Sequence, residues 1–245
     1  MKNIIIKKTR SALIATALAM PNLAYSATFF DDFSTDTSAD YIYMSTFGED
    51  TATWNVSGGT LNMPVKGGLA TTANLFYDTA TFGIGETVSV DISGPDDVYL
   101  SVSTTTRAAN ATGQDGVRFN WMPNGQFSAR GYTNGSATTT LSFDSSFVVG
   151  GPSSLTLYLT RETDNTYSAA FDSGSGLTQL NTTGGTEKQI FNAGATGNGD
   201  LFIGVETYNT GVRNFDNFTV TAVPEPSAAA LIGLGGIALI LRRRK

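Results

Sequence analysis

Glu86-Thr87-Val88-Ser89-Val90-Asp91-Ile92-Ser93 is the stretch that decides the fold. Val88, Val90 and Ile92 alternate with Thr87, Ser89 and Asp91, so an extended chain puts the apolar set on one face and the polar set on the other. A helix would scatter both sets around its circumference. The next run repeats the pattern with Val98, Leu100 and Val102, and Val117, Phe119 and Trp121 alternate after it. Pro123-Asn124-Gly125 then turns the chain and Phe127 and Ala129 return, an Asn-Gly hairpin signature. Leu155, Leu157 and Leu159 share a face, and the turn around Asp164-Asn165 leads back through Tyr167, Ala169 and Phe171. Nearer the front, residues 53–56, Ser57-Gly58-Gly59 and residues 60–63 read as another hairpin, and residues 201–208 and 215–221 read as the last strands.

With turn residues at short intervals, the body from 27 to 222 predicts about ten to thirteen strands in one all-β sandwich or jelly roll. A body of this length buries roughly 70% of its unfolded surface, enough to stand without cross-links. Residues 104–116 and 192–199 read as loops, and no internal repeat or long linker interrupts the body.

Composition narrows the chemistry. The 245 residues include no cysteine and no histidine. That excludes disulfides, thiolate nucleophiles, Cys- or His-ligated metals and the His-dependent triads, and it removes the commonest general base near neutral pH. Charge is unevenly placed. Lys2, Lys7, Lys8 and Arg10 lie at one end and Arg242, Arg243, Arg244 and Lys245 at the other, leaving residues 27–222 with seven basic residues against 20 acidic ones. A body this acidic repels phosphate backbones, so nucleic acid is not an expected partner.

Each basic end flanks an apolar run. Residues 11–20 are uncharged and largely apolar, Pro21-Asn22 follows, and Ala24 and Ser26 are small residues at the −3 and −1 positions before Ala27. This is the three-part pattern of a signal peptide over residues 1–26, cut by signal peptidase, with a permanent N-terminal anchor as the alternative. At the other end, Val223-Pro224-Glu225-Pro226-Ser227 precedes an apolar stretch from Ala228 to Leu241 and the closing basic cluster. As a helix that stretch is only ~21 Å long against a hydrocarbon core of ~30 Å, so it predicts a short transmembrane helix suited to transient insertion. Arg242, Arg243, Arg244 and Lys245 act as the membrane stop.

The order of Pro224-Glu225-Pro226, a short Gly-containing apolar run and a terminal arginine cluster over residues 223–245 resembles the PEP-CTERM sorting signal of Gram-negative, exopolysaccharide-producing bacteria. The resemblance implies recognition by an exosortase, a membrane-embedded protease, and passage through the inner membrane to the cell surface or medium. A plain tail anchor is the alternative. The body also resembles, over few residues, concanavalin-like and laminin-G-like sandwiches. Phe29-Phe30-Asp31-Asp32-Phe33 opens it and Phe215-Asp216-Asn217-Phe218 closes it, and in such folds the first and last strands often pair.

Candidate chemistry in the body is sparse. Jelly-roll retaining hydrolases carry a Glu-x-Asp-x-x-Glu strand motif, and none occurs. The glutamates Glu49, Glu86, Glu162, Glu187 and Glu206 are scattered, with Glu206 the best single candidate and a surface strand position its expected place. Asp31, Asp32 and Asp216 would converge if the terminal strands pair, which makes them candidates for a structural calcium, solvated turn acids being the alternative. For sugar binding the aromatics on offer are Trp54, Tyr99, Trp121, Tyr132, Tyr158 and Tyr208, with Trp121 expected in the core. Gly58-Gly59 and Gly184-Gly185 lack the helix and lysine of a phosphate cradle.

Three functions follow as expectations. The first is a non-catalytic surface or matrix protein serving the envelope or a biofilm exopolysaccharide. The second is a lectin-like carbohydrate-binding module, and the third a secreted glycoside hydrolase. The N-terminal reading has its own check. Intact mass of the exported protein should place the first residue at Ala27, and retention of residues 1–20 would overturn it.

Overall fold

The computed structural model describes residues 26–45, 54–63, 73–93, 97–105, 112–147, 154–185, 187–193, 199, 201–207 and 213–222. Sixteen strands and two short 3-10 turns make up its regular structure, with no α-helix among the described residues. In chain order the first strands are β1 (Ser26–Asp31), β2 (Tyr41–Ser45), β3 (Asn55–Ser57), β4 (Thr60–Met63), β5 (Ala73–Phe82) and β6 (Glu86–Ser93). The middle group is β7 (Val98–Ser103), β8 (Gly116–Trp121), β9 (Phe127–Thr133), β10 (Ser136–Ser142) and β11 (Ser154–Arg161). The last group is β12 (Thr166–Asp172), β13 (Thr178–Gln179), β14 (Phe191–Asn192), β15 (Leu201–Thr207) and β16 (Arg213–Ala222).

These strands form two packed sheets. One is nine-stranded and runs β13-β12-β11-β6-β16-β4-β3, with β1 also on β16 and β14 on β12; the other is seven-stranded and runs β10-β9-β8-β7-β15-β5-β2. All ladders are antiparallel, and the alternation read from residues 86–93 sets which side faces in. Val88, Val90 and Ile92 are buried against Leu155, Leu157 and Leu159 within one sheet and against Leu100, Val102, Phe119 and Trp121 of the other. The all-β sandwich read from the sequence is therefore the fold observed. The signal-peptide helix, the transmembrane helix and the sorting segment lie outside the described residues, and among the described residues no helix is long and apolar enough to cross a membrane.

The first and last strands do pair, with Phe30 opposite Thr219 and Asp31 opposite Phe218. A bulge between Asp216 and Thr219, with Asn217 at φ 49°, lets β16 pair with β4 through its first residues and with β1 through its later ones, while β6 lies along the other side. The opening aromatics divide accordingly. Phe33 and Phe218 are buried, Phe29 packs at 4.2 Å from the Tyr77 ring, and Phe30 is 56% exposed.

Two polar ties bind one sheet to the other. Asp31, on β1, accepts hydrogen bonds from the Tyr41 hydroxyl at the start of β2 (3.0 Å), from the Thr37 hydroxyl (2.7 Å) and from the Phe33 amide (2.8 Å). Arg161, fully buried at the end of β11, donates to the carbonyl oxygens of Phe82 (3.0 Å) and Gly199 (2.7 Å). Asp31→Ala removes an acceptor from three donors, two of them in buried hydrogen bonds and the third in a part-buried one. A loss of roughly 3 kcal/mol is expected, since buried donors left without partners cost about 1–3 kcal/mol each. Urea denaturation of Asp31→Ala against Asp31→Asn measures it, with the asparagine variant retaining part of the stability.

Candidate functional site

Alternation along β7, β8, β9 and β15 turns their even or odd partners away from the core, and most of these outward residues, Arg130 excepted, are withdrawn from solvent. Tyr99, Ser101, Arg118, Asn120, Ser128, Tyr132 and Glu206 are all buried on the outer side of the seven-stranded sheet. Glu206 is opposite Tyr99, Tyr99 is opposite Asn120, and Ser101 is opposite Arg118, so the ladders bring the charged pair together across β7. Arg118 Nη2 stands 2.6 Å from Glu206 Oε2, with the carboxylate side chain 0% exposed. The contact is held by charge rather than by well-formed hydrogen bonds, and Arg118 Nε has no hydrogen-bond partner.

The guanidinium carbon lies 4.0 Å from the centre of the Tyr99 ring and 6.0 Å from that of Tyr132, a cation held between two π faces. Asn120 completes the group by donating to Asp97 (3.2 Å) and accepting from the Ser128 hydroxyl (3.2 Å). Gly204 is required beside Glu206. A Cβ there would meet Leu75 O at 2.6 Å and Phe76 Cδ1 at 2.8 Å, so only glycine lets the Phe76 ring lie on this face.

Burial pushes the Glu206 carboxyl up from its ordinary range, and the Arg118 charge and the Ser101 hydroxyl pull it back only in part. Burial works against the Arg118 charge, but Glu206, Tyr132 and Tyr99 outweigh it and raise the group. Tyr99 is raised chiefly by burial. The cluster is thus a sealed ion pair rather than an open pair of carboxylates. That corrects the surface position expected for Glu206, reveals Arg118 and Asn120, which the sequence reading passed over, and places Asp97, which with Asp96 reads from sequence as an exposed acidic turn, as the acceptor of Asn120.

The outer face of the nine-stranded sheet is different in kind. Its residues alternate as Thr87, Ser89, Asp91 and Ser93 on β6, Thr156, Tyr158 and Thr160 on β11, and Asn214, Asp216, Thr219 and Thr221 along β16, in register across the strands. These positions are partly exposed. Two grooves adjoin there. One of about 550 Å³ is lined by Tyr158 with Thr87, Ser89, Thr160, Gln179 and Lys188. The other, of about 430 Å³, is lined by Thr156, Asp91, Asp172, Asn214 and Asp216.

The remaining candidates are placed as follows. Asp31 has both oxygens engaged by its three donors, Asp32 is exposed and accepts from the Ser34 amide, and Asp216 accepts from the Asn217 amide at 2.7 Å. Partial burial raises the Asp216 carboxyl, reinforced by Asp91, Asp32 and Asp31 nearby. Among the described residues no three acidic side chains group to hold a metal ion. Trp121 is in the core as expected, Trp54 packs against the core edge-on to Tyr41, and Glu49 and Tyr208 lie outside the described residues.

Comparison with known proteins adds two findings. Residues 222–245 match the PEP-CTERM protein-sorting motif, which carries the sorting segment Val223, Pro224, Glu225 and Pro226 and implies export, exosortase processing at a membrane and delivery to the cell surface. The body is similar in fold to a galectin-like protein of unknown function from Bacillus subtilis, at 10% identity and a TM-score of 0.52 over 80% of this chain and 97% of that one. It is likewise similar to a β-glucanase from Bacillus licheniformis, at 12% identity and a TM-score of 0.50 over 80% of this chain and 98% of that one. No curated protein matches the chain.

The ion pair makes a pH-dependent prediction. Without the guanidinium, Glu206 becomes a lone buried carboxyl whose folded value rises further above the unfolded 4.5. Above that pH the unfolded chain has released a proton that the folded chain keeps, so stability falls as pH rises. Arg118→Met should cost about 3–5 kcal/mol near pH 8, where a buried charge is stranded, and markedly less near pH 4.5. Urea titrations at the two pH values test this, and an equal loss at both would overturn it.

Proposed function

We propose that this is a non-catalytic protein of a Gram-negative cell surface or matrix, associated with exopolysaccharide. Signal peptidase removes residues 1–26, and an exosortase cuts near Pro224-Glu225-Pro226 after transient residence in the inner membrane. The observation that carries the reading is the sorting motif at residues 222–245, directly after the last strand of the sandwich. Pro224 and Pro226 disfavour a helix through the motif, which suits a protease that takes an extended substrate.

Support for a non-catalytic body comes from the seven-stranded sheet. Retaining or inverting glycoside hydrolysis needs two carboxyl groups about 5–9.5 Å apart in an open cleft. Here Glu206 is sealed and bound to arginine, while Asp97 serves Asn120. A hydrolase reading draws on the raised Glu206 carboxyl and the glucanase-like fold. Glucan cleavage by the purified chain, lost in Glu206→Gln, would establish it instead.

The sorting route has a direct test. In a strain lacking its exosortase, or with Pro224, Glu225 and Pro226 all changed to alanine, the full tail should stay attached and the protein should remain in the inner membrane. Mass spectrometry of material from the unmodified strain should show residues 228–245 gone; their retention would make the tail a simple anchor.

A further inference from the structure

The two grooves on the outer face of the nine-stranded sheet lie end to end. Thr156 and Tyr158 are successive outward residues of β11, one lining each groove, so the troughs continue into one another along the strands. From the Ser93 row to the Thr87 row is six residues, a length of about 20 Å at ~3.4 Å per residue. That length suits an extended chain rather than a single small molecule.

The chemistry of the trough is specific. Its floor at one end is a half-buried tyrosine ring, Tyr158, beside the hydroxyls of Ser89, Thr87 and Thr160, the last two sharing a hydrogen bond of 2.7 Å. Hydroxyls can donate or accept, so such a floor serves a ligand whose own groups do both. At the other end the floor is acceptor-rich. Asp91 takes the Thr156 hydroxyl at 2.5 Å and the Asn217 amide at 2.8 Å, Asp216 lies beside it, and the buried Asn214 Oδ1 has no hydrogen-bond partner. Three carboxylates (Asp91, Asp172 and Asp216) line this half, and the cation of the trough, Lys188, is paired with Glu162. Among the described lining residues acids outnumber bases, so a polyanion is repelled.

We infer that this trough binds an uncharged glycan chain, one ring stacked on Tyr158 and hydroxyls of the following units donating to Asp91, Asp216 and Asn214. The inference deepens the surface-protein reading by naming its partner class and its face, and it rests on that reading only for where the glycan is met. The sorting experiment reads processing and membrane retention, so either can fail without the other.

The test uses the full-length chain, purified in mild detergent, on an array of immobilised neutral and uronic-acid-containing oligosaccharides, followed by calorimetry with the best neutral hit. Binding should be to neutral chains, and should weaken at least tenfold in Tyr158→Ala, about 1.4 kcal/mol. Tyr158→Phe keeps the ring and should lose less than threefold, while Asp91→Asn, which keeps the fold of a partly exposed strand position, should weaken binding severalfold. Melting curves confirm that each variant is folded. Binding only to uronic-acid chains overturns the inference, as does no binding to any neutral chain. So does neutral binding that survives Tyr158→Ala and is lost on changing Tyr99, which would move the site to the other sheet.

Discussion

Ten residues of β16 hold the sandwich together, because β1, β4 and β6 all take their hydrogen bonds from it. An ordinary strand has two edges and serves two neighbours. The bulge at Asp216-Asn217 divides one edge in two, so that Arg213–Phe215 meet β4 while residues 218–222 meet β1, and Asn217 turns its amide to the Asp91 carboxylate. With no disulfide to close the chain, the first and last strands are joined by these ladder bonds and by the Phe29, Phe218 and Tyr77 rings between the sheets. Asp31 and Arg161 add directional ties where the sheets would otherwise be free to slide.

The two outer faces answer different physical demands. At the centre of the seven-stranded sheet the outward polar side chains are withdrawn from water, and a charge buried there survives only with an opposite charge beside it. Arg118, Glu206, Tyr99 and Tyr132 meet that demand together, at the cost of locking the face. On the nine-stranded sheet the outward residues keep water contact, carry small hydroxyls and leave grooves. A buried ion-pair cluster and a partly exposed, grooved face thus occupy opposite sides of one core.

Much of this was legible in the sequence because period-two alternation and turn residues act locally. Glu86–Ser93 has the bounds read from its pattern, Trp121 faces the core and the Gly58-Gly59 hairpin is in place. β5 and β10 were not read. Leu75 and Phe76 are buried on opposite faces, which erases alternation, and β10 is a polar edge strand with no apolar stripe to show. Glu206 was misplaced for a related reason. Alternation with Val205 says only that it points away from the core, and whether that side meets water depends on what the fold lays over it. The available clue was that one base, Arg118, and one acid, Glu206, both sat outward among Tyr99, Asn120 and Ser128, an odd mixture for a free surface.

The position of β16 in the chain has a consequence for the order of events. A chain that crosses a membrane from its N-terminal end delivers this strand last, immediately ahead of the sorting segment. Until then β1 has no partner strand, the β3–β4 hairpin has nothing to join and β6 lacks one neighbour, so the nine-stranded sheet stays open however much of the body has emerged. Long-range closure of this kind is slow and entropically costly. That sheet therefore closes last, when β16 joins it. Until it closes, its unpaired strand edges are the part of the body most open to pairing with a neighbouring copy.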